Sequence, residues 1–277
     1  MPLNLALFQA ESVLGQPLYI ILGVITLATL VALGLRFFIN MFEVITAPGA
    51  SLSHYGQNDN FFFSIFVVFL GGLIGTFGLL ATQSQLTTSF HDIATTLCNG
   101  AAQMNSNANY RDIAAQYGIS IMDGNFDIYV TSNLVFFPIL MVVLWIITGS
   151  ICFVASKVFA GQGSYGNFLS GLAYGAFFYS IGLAFSMPDS LAAYSATLQT
   201  SAVAPSALGI IGSILMLYGI VLFIMGVSQG ADLAGGQVIG VIIVLIVVLG
   251  GLSYLGIYYA TPIWQEFTNS IQSYNPA

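Results

Sequence analysis

Basic residues are nearly missing from this chain: Arg36, Arg111 and Lys157 are the only three among 277 residues. A nucleic-acid or phosphate-binding surface needs clustered Lys and Arg, so that class is excluded. Docking of a polybasic patch on anionic lipid is disfavoured for the same reason. Ten acidic residues bring the formal net charge to −7. Charged residues are 5% of the chain and hydrophobic ones 57%, whereas soluble domains carry about 25% charge. So few charges could not cover a water-facing surface, and a polytopic membrane protein follows.

Cysteine and histidine are just as scarce. Cys98 lies in a polar stretch and Cys152 inside an apolar run, with no Cys-x-x-Cys spacing, which argues against a disulfide. His54 and His91 both fall between apolar runs, so a bis-His haem inside the bundle is excluded. His91, Asp92 and Cys98 make an incomplete metal or nucleophile set, better read as a solvated loop. There is no Ser-x-x-Lys, H-E-x-x-H or P-loop. Residues 1–17 lack the basic region of a cleavable signal peptide. No enzyme, cofactor or small-molecule ligand is expected from these residues.

The chain does have long charge-poor runs. Six of them, 18–38, 61–82, 135–155, 168–187, 207–228 and 234–259, reach the roughly 20 residues that cross a bilayer as helix. They contain no Asp, Glu, His or Lys, and their one Arg, Arg36, stands at an end where it can snorkel. Ion-coupled transporters usually carry ionisable groups within the bundle, so that class is disfavoured. The expected fold is an all-α membrane protein, a six-transmembrane-helix bundle with short interfacial amphipathic helices. Residues 1–60 form an N-terminal segment with one span, 61–260 a five-span core and 261–277 an interfacial tail.

The connections carry weaker signals. Leu3, Leu7 and Leu14 make a mildly amphipathic start, and Pro17 suits a first helical position. Phe38, Phe42 and Ile45 suggest a short interfacial helix ending before Pro48, and 54–60 read as a polar turn. In the long segment 83–132, Leu86, Phe90, Ile93 and Leu97 define an amphipathic helix against the membrane surface. A second short helix follows at Tyr110, Ile113 and Tyr117. Alternation of Ile119 to Val130 around Asp123-Gly124 then suggests a β-hairpin, unless Asp127 or Thr131 opens the next helix. Pro188-Asp189 reads as the end of the fourth span. Thr261-Pro262 reads as a new helix start, placing Trp264 at the membrane interface.

The central feature is the pair of runs around 156–167, too short a link for anything but a hairpin. Its tip holds Lys157, Gly161, Gly163, Tyr165 and Gly166. A lone Gly-x-Gly could cradle phosphate, but a turn with positive φ is the favoured reading. Small residues recur four apart at Gly71 and Gly75, Gly171 and Gly175, Gly236 and Gly240. Such spacing lets membrane helices pack closely. Near span ends, Arg36 and Lys157 fall on one face and no basic residue on the other. The positive-inside rule then puts both termini and the 83–132 loop outside.

The order of these features resembles the Yip1 domain family. The resemblance is carried by the tip Gly161-Gln162-Gly163-Ser164-Tyr165, then Asn167-Phe168-Leu169 and Ala173-Tyr174, and by the turn 226–232 before the last span. It covers about four fifths of the chain, from an interfacial segment at 37–48 through five spans at 61–259, with 18–38 as an extra N-terminal helix. It implies that the 39–60 side is cytoplasmic and the C-terminus outside. Eukaryotic members are linked to vesicle traffic, membrane shaping and prenylated Rab GTPases. The long loop has no N-x-[ST] sequon, so a prokaryotic cell membrane is expected. The expected role is a non-enzymatic scaffold that meets membrane lipids and other membrane proteins or further copies of itself. An accessory subunit of a larger complex, or a transporter or pore for a neutral or lipid-like solute, stands as the alternative.

Overall fold

The structure is a computed structural model. It describes residues 2–58, 61–83, 85–86, 88–89, 92, 120–198 and 204–273, with side-chain surroundings from 20 to 54 and, of those beyond, up to 255 except at 120–135 and 198. Seven helices are described: α1 (Pro2–Thr46), α2 (Pro48–Asn58), α3 (Phe61–Ala81), α4 (Ser120–Val158), α5 (Tyr165–Leu198), α6 (Ala207–Ala231) and α7 (Gly235–Ser273). Six stretches are long and apolar enough to cross a membrane: Ile20–Thr46, Phe61–Ala81, Phe136–Val158, Tyr165–Thr197, Ala207–Ala231 and Gly235–Leu255. The chain is therefore an all-helical, multi-pass integral membrane protein.

Helix α5 is the centre. It packs on α6 and α3, and α4 and α2 also reach it. Four-fifths of its span is buried within the protein, whereas only 11% of the α7 span is. The buried core runs through Leu70, Leu73, Phe168, Leu169, Leu172, Tyr174 and Leu222. Exposed Ile, Leu and Val side chains on α1 and α7 would make an insoluble surface in water, and in a bilayer they are the surface offered to lipid.

Several local expectations are corrected. Residues 120–130 do not form a hairpin, because α4 begins at Ser120 and runs unbroken into the span. An isolated pair of strands has no face to bury, and the adjoining span propagates its helix instead. Pro188 does not end α5, which continues to Leu198. Inside a bundle, hydroxyls and neighbouring helices can satisfy what a proline leaves open. Thr261-Pro262 opens no new helix, since α7 is continuous to Ser273. Residues 54–58 are helical, as part of α2, and Pro17 lies inside α1. The break in α1 comes at Gly34 (φ 61°, ψ −164°), a conformation almost confined to glycine.

Candidate functional site

Among the described residues, no cluster of reactive side chains organises the bundle. Among the described residues, no three His, Cys, Asp or Glu side chains come together as a metal site. What the sequence builds instead is a seam of glycines. On α5, Gly175 and Gly182 are seven residues apart, and on α6, Gly212, Gly219 and Gly226 repeat at the same interval. Seven residues are two helical turns, so each set lies on one stripe. The helices run antiparallel with these stripes facing. A β-carbon on Gly175 would lie 2.7 Å from the Phe223 nitrogen, and one on Gly182 2.6 Å from the Met216 Cα. One on Gly219 would lie 2.5 Å from the Tyr179 nitrogen, and one on Gly226 2.6 Å from the Gly171 carbonyl oxygen. Backbone meets backbone along the whole pair, and dispersion holds it where hydrophobicity cannot.

The α3–α5 contact uses the same device. A β-carbon on Gly71 would lie 2.8 Å from the Phe177 carbonyl oxygen, and one on Gly75 3.2 Å from that of Ser180. The third expected pair divides. Gly240 receives the Phe159 ring, while Gly236 has nothing within 4 Å. The seven-residue glycine repeat of α6 contains no four-residue pair, so small-residue spacing at i, i+4 does not reveal it.

The second feature is the hairpin tip. Ala160, not a glycine, takes the left-handed conformation that ends α4. Gly161 N donates to Ser156 O at 2.8 Å and Ala160 N to Lys157 O at 3.3 Å, a Schellman closure. Gly161 is buried, and a β-carbon on it would lie 2.8 Å from Ser156 O. Gly163 has φ 97°, where a side chain would also meet Gly230 O. Lys157 Nζ lies over the Phe153 ring at 4.8 Å and donates to Gly161 O and Gly163 O. Its ammonium thus closes the helix end with carbonyls, the reverse of a loop that cradles phosphate with N–H groups. Tyr165 shares a 2.7 Å hydrogen bond with Ser150, and Gly166 faces open space.

The tip is also tied to the α6–α7 turn. Gln162 N donates to Ala231 O at 2.8 Å. Gln237 accepts from Ala234 N through Oε1 and donates to Phe159 O through Nε2, both at 2.9 Å. One amide therefore caps α7 and fastens it to the end of α4. Within the last third of α5, Asp189 accepts from Ser206 N at 2.6 Å and from Gln85 Nε2 at 3.3 Å. That sets a carboxylate at the positive end of α6.

The third feature is the break between α1 and α2. Pro48 has no N–H, so the carbonyl of Val44 loses its partner four residues on. Tyr218 Oη supplies the bond instead, at 3.1 Å. Next to it, Asn40 Nδ2 donates to Tyr174 Oη at 2.8 Å, with both residues buried. Of the residues expected at the membrane interface, Leu86 is buried against the bundle. Trp264 lies on the α7 backbone, and Phe90, Ile93 and Leu97 lie outside the described residues. Compared with known proteins, the chain matches no family model, no curated protein and no solved structure.

Proposed function

We propose that this chain is a non-enzymatic membrane scaffold, similar in architecture to Yip1-domain proteins with an added N-terminal span. The observation that carries the reading is the contrast between its two kinds of helix. Helices α3, α5 and α6 meet backbone to backbone. By contrast, α7 presents Ile239, Ile243, Ile246 and Val247 outward. A close-packed core that holds out a long apolar face suits a body that organises lipids and neighbouring membrane proteins. Lys157 at the end of the third span, with Arg36 in the same half of the first, supports a cytoplasmic position for the hairpin tip and 39–60, with both termini and 83–132 outside. The sequon-free loop supports a prokaryotic cell membrane as the setting.

Native mass spectrometry of the protein released from its own membrane tests this reading. Bound lipid, further copies or a sub-stoichiometric set of membrane proteins is the expected result, and one fixed stoichiometric partner would make it an accessory subunit instead. A second reading, passage of a neutral solute, is favoured by the α1–α2 break, since interrupted helices line the binding sites of many transporters. Saturable thermal stabilisation by one solute in a neutral panel would select it and sink the scaffold.

A further inference from the structure

The α1–α2 region is attached differently from the rest of the bundle. The helix of residues 35–46 lies between two joints. At one end is Gly34, whose dihedrals suit only glycine and whose missing β-carbon would meet nothing within 4 Å. At the other end is Pro48, which interrupts the backbone hydrogen-bond ladder. Between them, one narrow stripe touches the core: Phe37, Asn40 and Val44 are buried, while Phe38, Ile39, Phe42 and Ile45 are exposed. No glycine brings this backbone down onto α5 or α6. Contact is made by side-chain ends: the Phe37 ring edge-on to Phe177 at 5.7 Å, Asn40 to Tyr174, and Tyr218 to the Val44 carbonyl. Beneath lies the glycine seam, whose backbones cannot part without losing their whole contact.

We infer that residues 35–46 form a strap with a docked and a released state, latched by the hydroxyls of Tyr174 and Tyr218. The strap is a rigid rod between two joints, held to α5 and α6 by the Asn40 and Val44 hydrogen bonds and a narrow apolar stripe, with Arg36 over the Phe63 ring of α3 at 5.2 Å. Loss of either latch leaves a polar group without its partner on both sides, so release is resisted yet local. Release turns the rod about Gly34 and uncovers the Tyr174 and Tyr218 hydroxyls on the α5–α6 face. The device stands apart from the scaffold reading, because it concerns how the bundle moves and not what it meets.

Spin labels in a cysteine-free background in nanodiscs test it. One label pair at Phe42 and Tyr194 reports the strap, and a control pair at Val154 and Tyr194 reports the core. All three sites are exposed. Two variants are compared with the parent. Tyr218→Phe removes one latch, and Gly34→Ala replaces the joint without filling occupied space. The expected result is a second strap distance whose population rises about fivefold in Tyr218→Phe, the factor given by one ordinary hydrogen bond, with the control unchanged. Gly34→Ala should shift the same distribution, because alanine cannot hold the docked dihedrals. A single unchanged strap distance in both variants overturns the proposal. So does a control distance that moves with the strap, since the strap would then not be separable from the core.

Discussion

Tyr218 donates to the carbonyl of Val44 across 174 residues of sequence, at 3.1 Å. It does for α1 what the nitrogen of residue 48 would do if that residue were not proline. The tyrosine is itself held in place by an edge-to-face contact with Phe178, at 5.0 Å between ring centres.

Tyr218→Phe should therefore destabilise by about 1–3 kcal/mol, the cost of leaving a buried carbonyl unsatisfied. Pro48→Ala restores an N–H to Val44. In that background the same tyrosine change should cost clearly less, a coupling that a double-mutant cycle of melting temperatures in one detergent would read. Equal costs in both backgrounds would refute the compensation.

The glycines of the seam should tolerate nothing larger. Gly182→Ala drives a methyl into the Met216 backbone, and Gly175→Leu meets the backbone of Phe223. Each should cost on the order of 1–3 kcal/mol, the range for overpacking. Leu172→Ile, which conserves volume, should cost less, and Gly250→Ala, with open space around it, should cost nothing. Thermal stability that ranks Gly250→Ala below Gly182→Ala would contradict the seam.

Gln237→Ala removes two hydrogen bonds at once, the cap on Ala234 N and the tie to Phe159 O. A loss of about 1–2 kcal/mol is expected. Amide exchange should also quicken at the start of α7 and leave α5 unchanged; uniform quickening of both would mean that the tie is not local.

Asp189→Asn keeps the shape of the side chain but removes its charge from the α6 N-terminus. It should cost less than about 1 kcal/mol, and Asp189→Ala, which strands Ser206 N and Gln85, should cost more. The melting temperatures of the two variants give the comparison, and a reversed order would refute the stabilising role of the Asp189 hydrogen bonds.

Orientation is open to single-cysteine labelling in a cysteine-free background. An impermeant reagent added outside should reach positions near Asn105 and miss those near Gln162. The opposite pattern would invert the bundle.

Much of the fold is legible in the sequence, because apolar length alone specifies a span. The expected 61–82 and 207–228 lie within a few residues of α3 and α6. The ends were harder, since the rules for helix stops come from proteins in water. Pro188 reads as a stop, and Pro262 after Thr261 as a new start, where exposed carbonyls can turn to solvent. In a bundle there is no solvent to receive them, so the helix continues. The seam was half legible: Gly175 stood out, but its partners Gly219 and Gly212 follow a two-turn repeat and not a one-turn one. The latch could not be read at all. Nothing near Pro48 in sequence announces that a tyrosine 170 positions later will complete its ladder.

The glycine seam has a thermal consequence. Helices that join through leucines must each freeze χ angles, at about 0.5–1 kcal/mol for every side chain immobilised. Gly175, Gly182, Gly212, Gly219 and Gly226 have no χ angles to lose. Their contacts are made by backbone already ordered when each helix forms. The α5–α6 pair should thus associate with little loss of side-chain entropy, and warming should loosen α1 and α7 well before it parts these two helices.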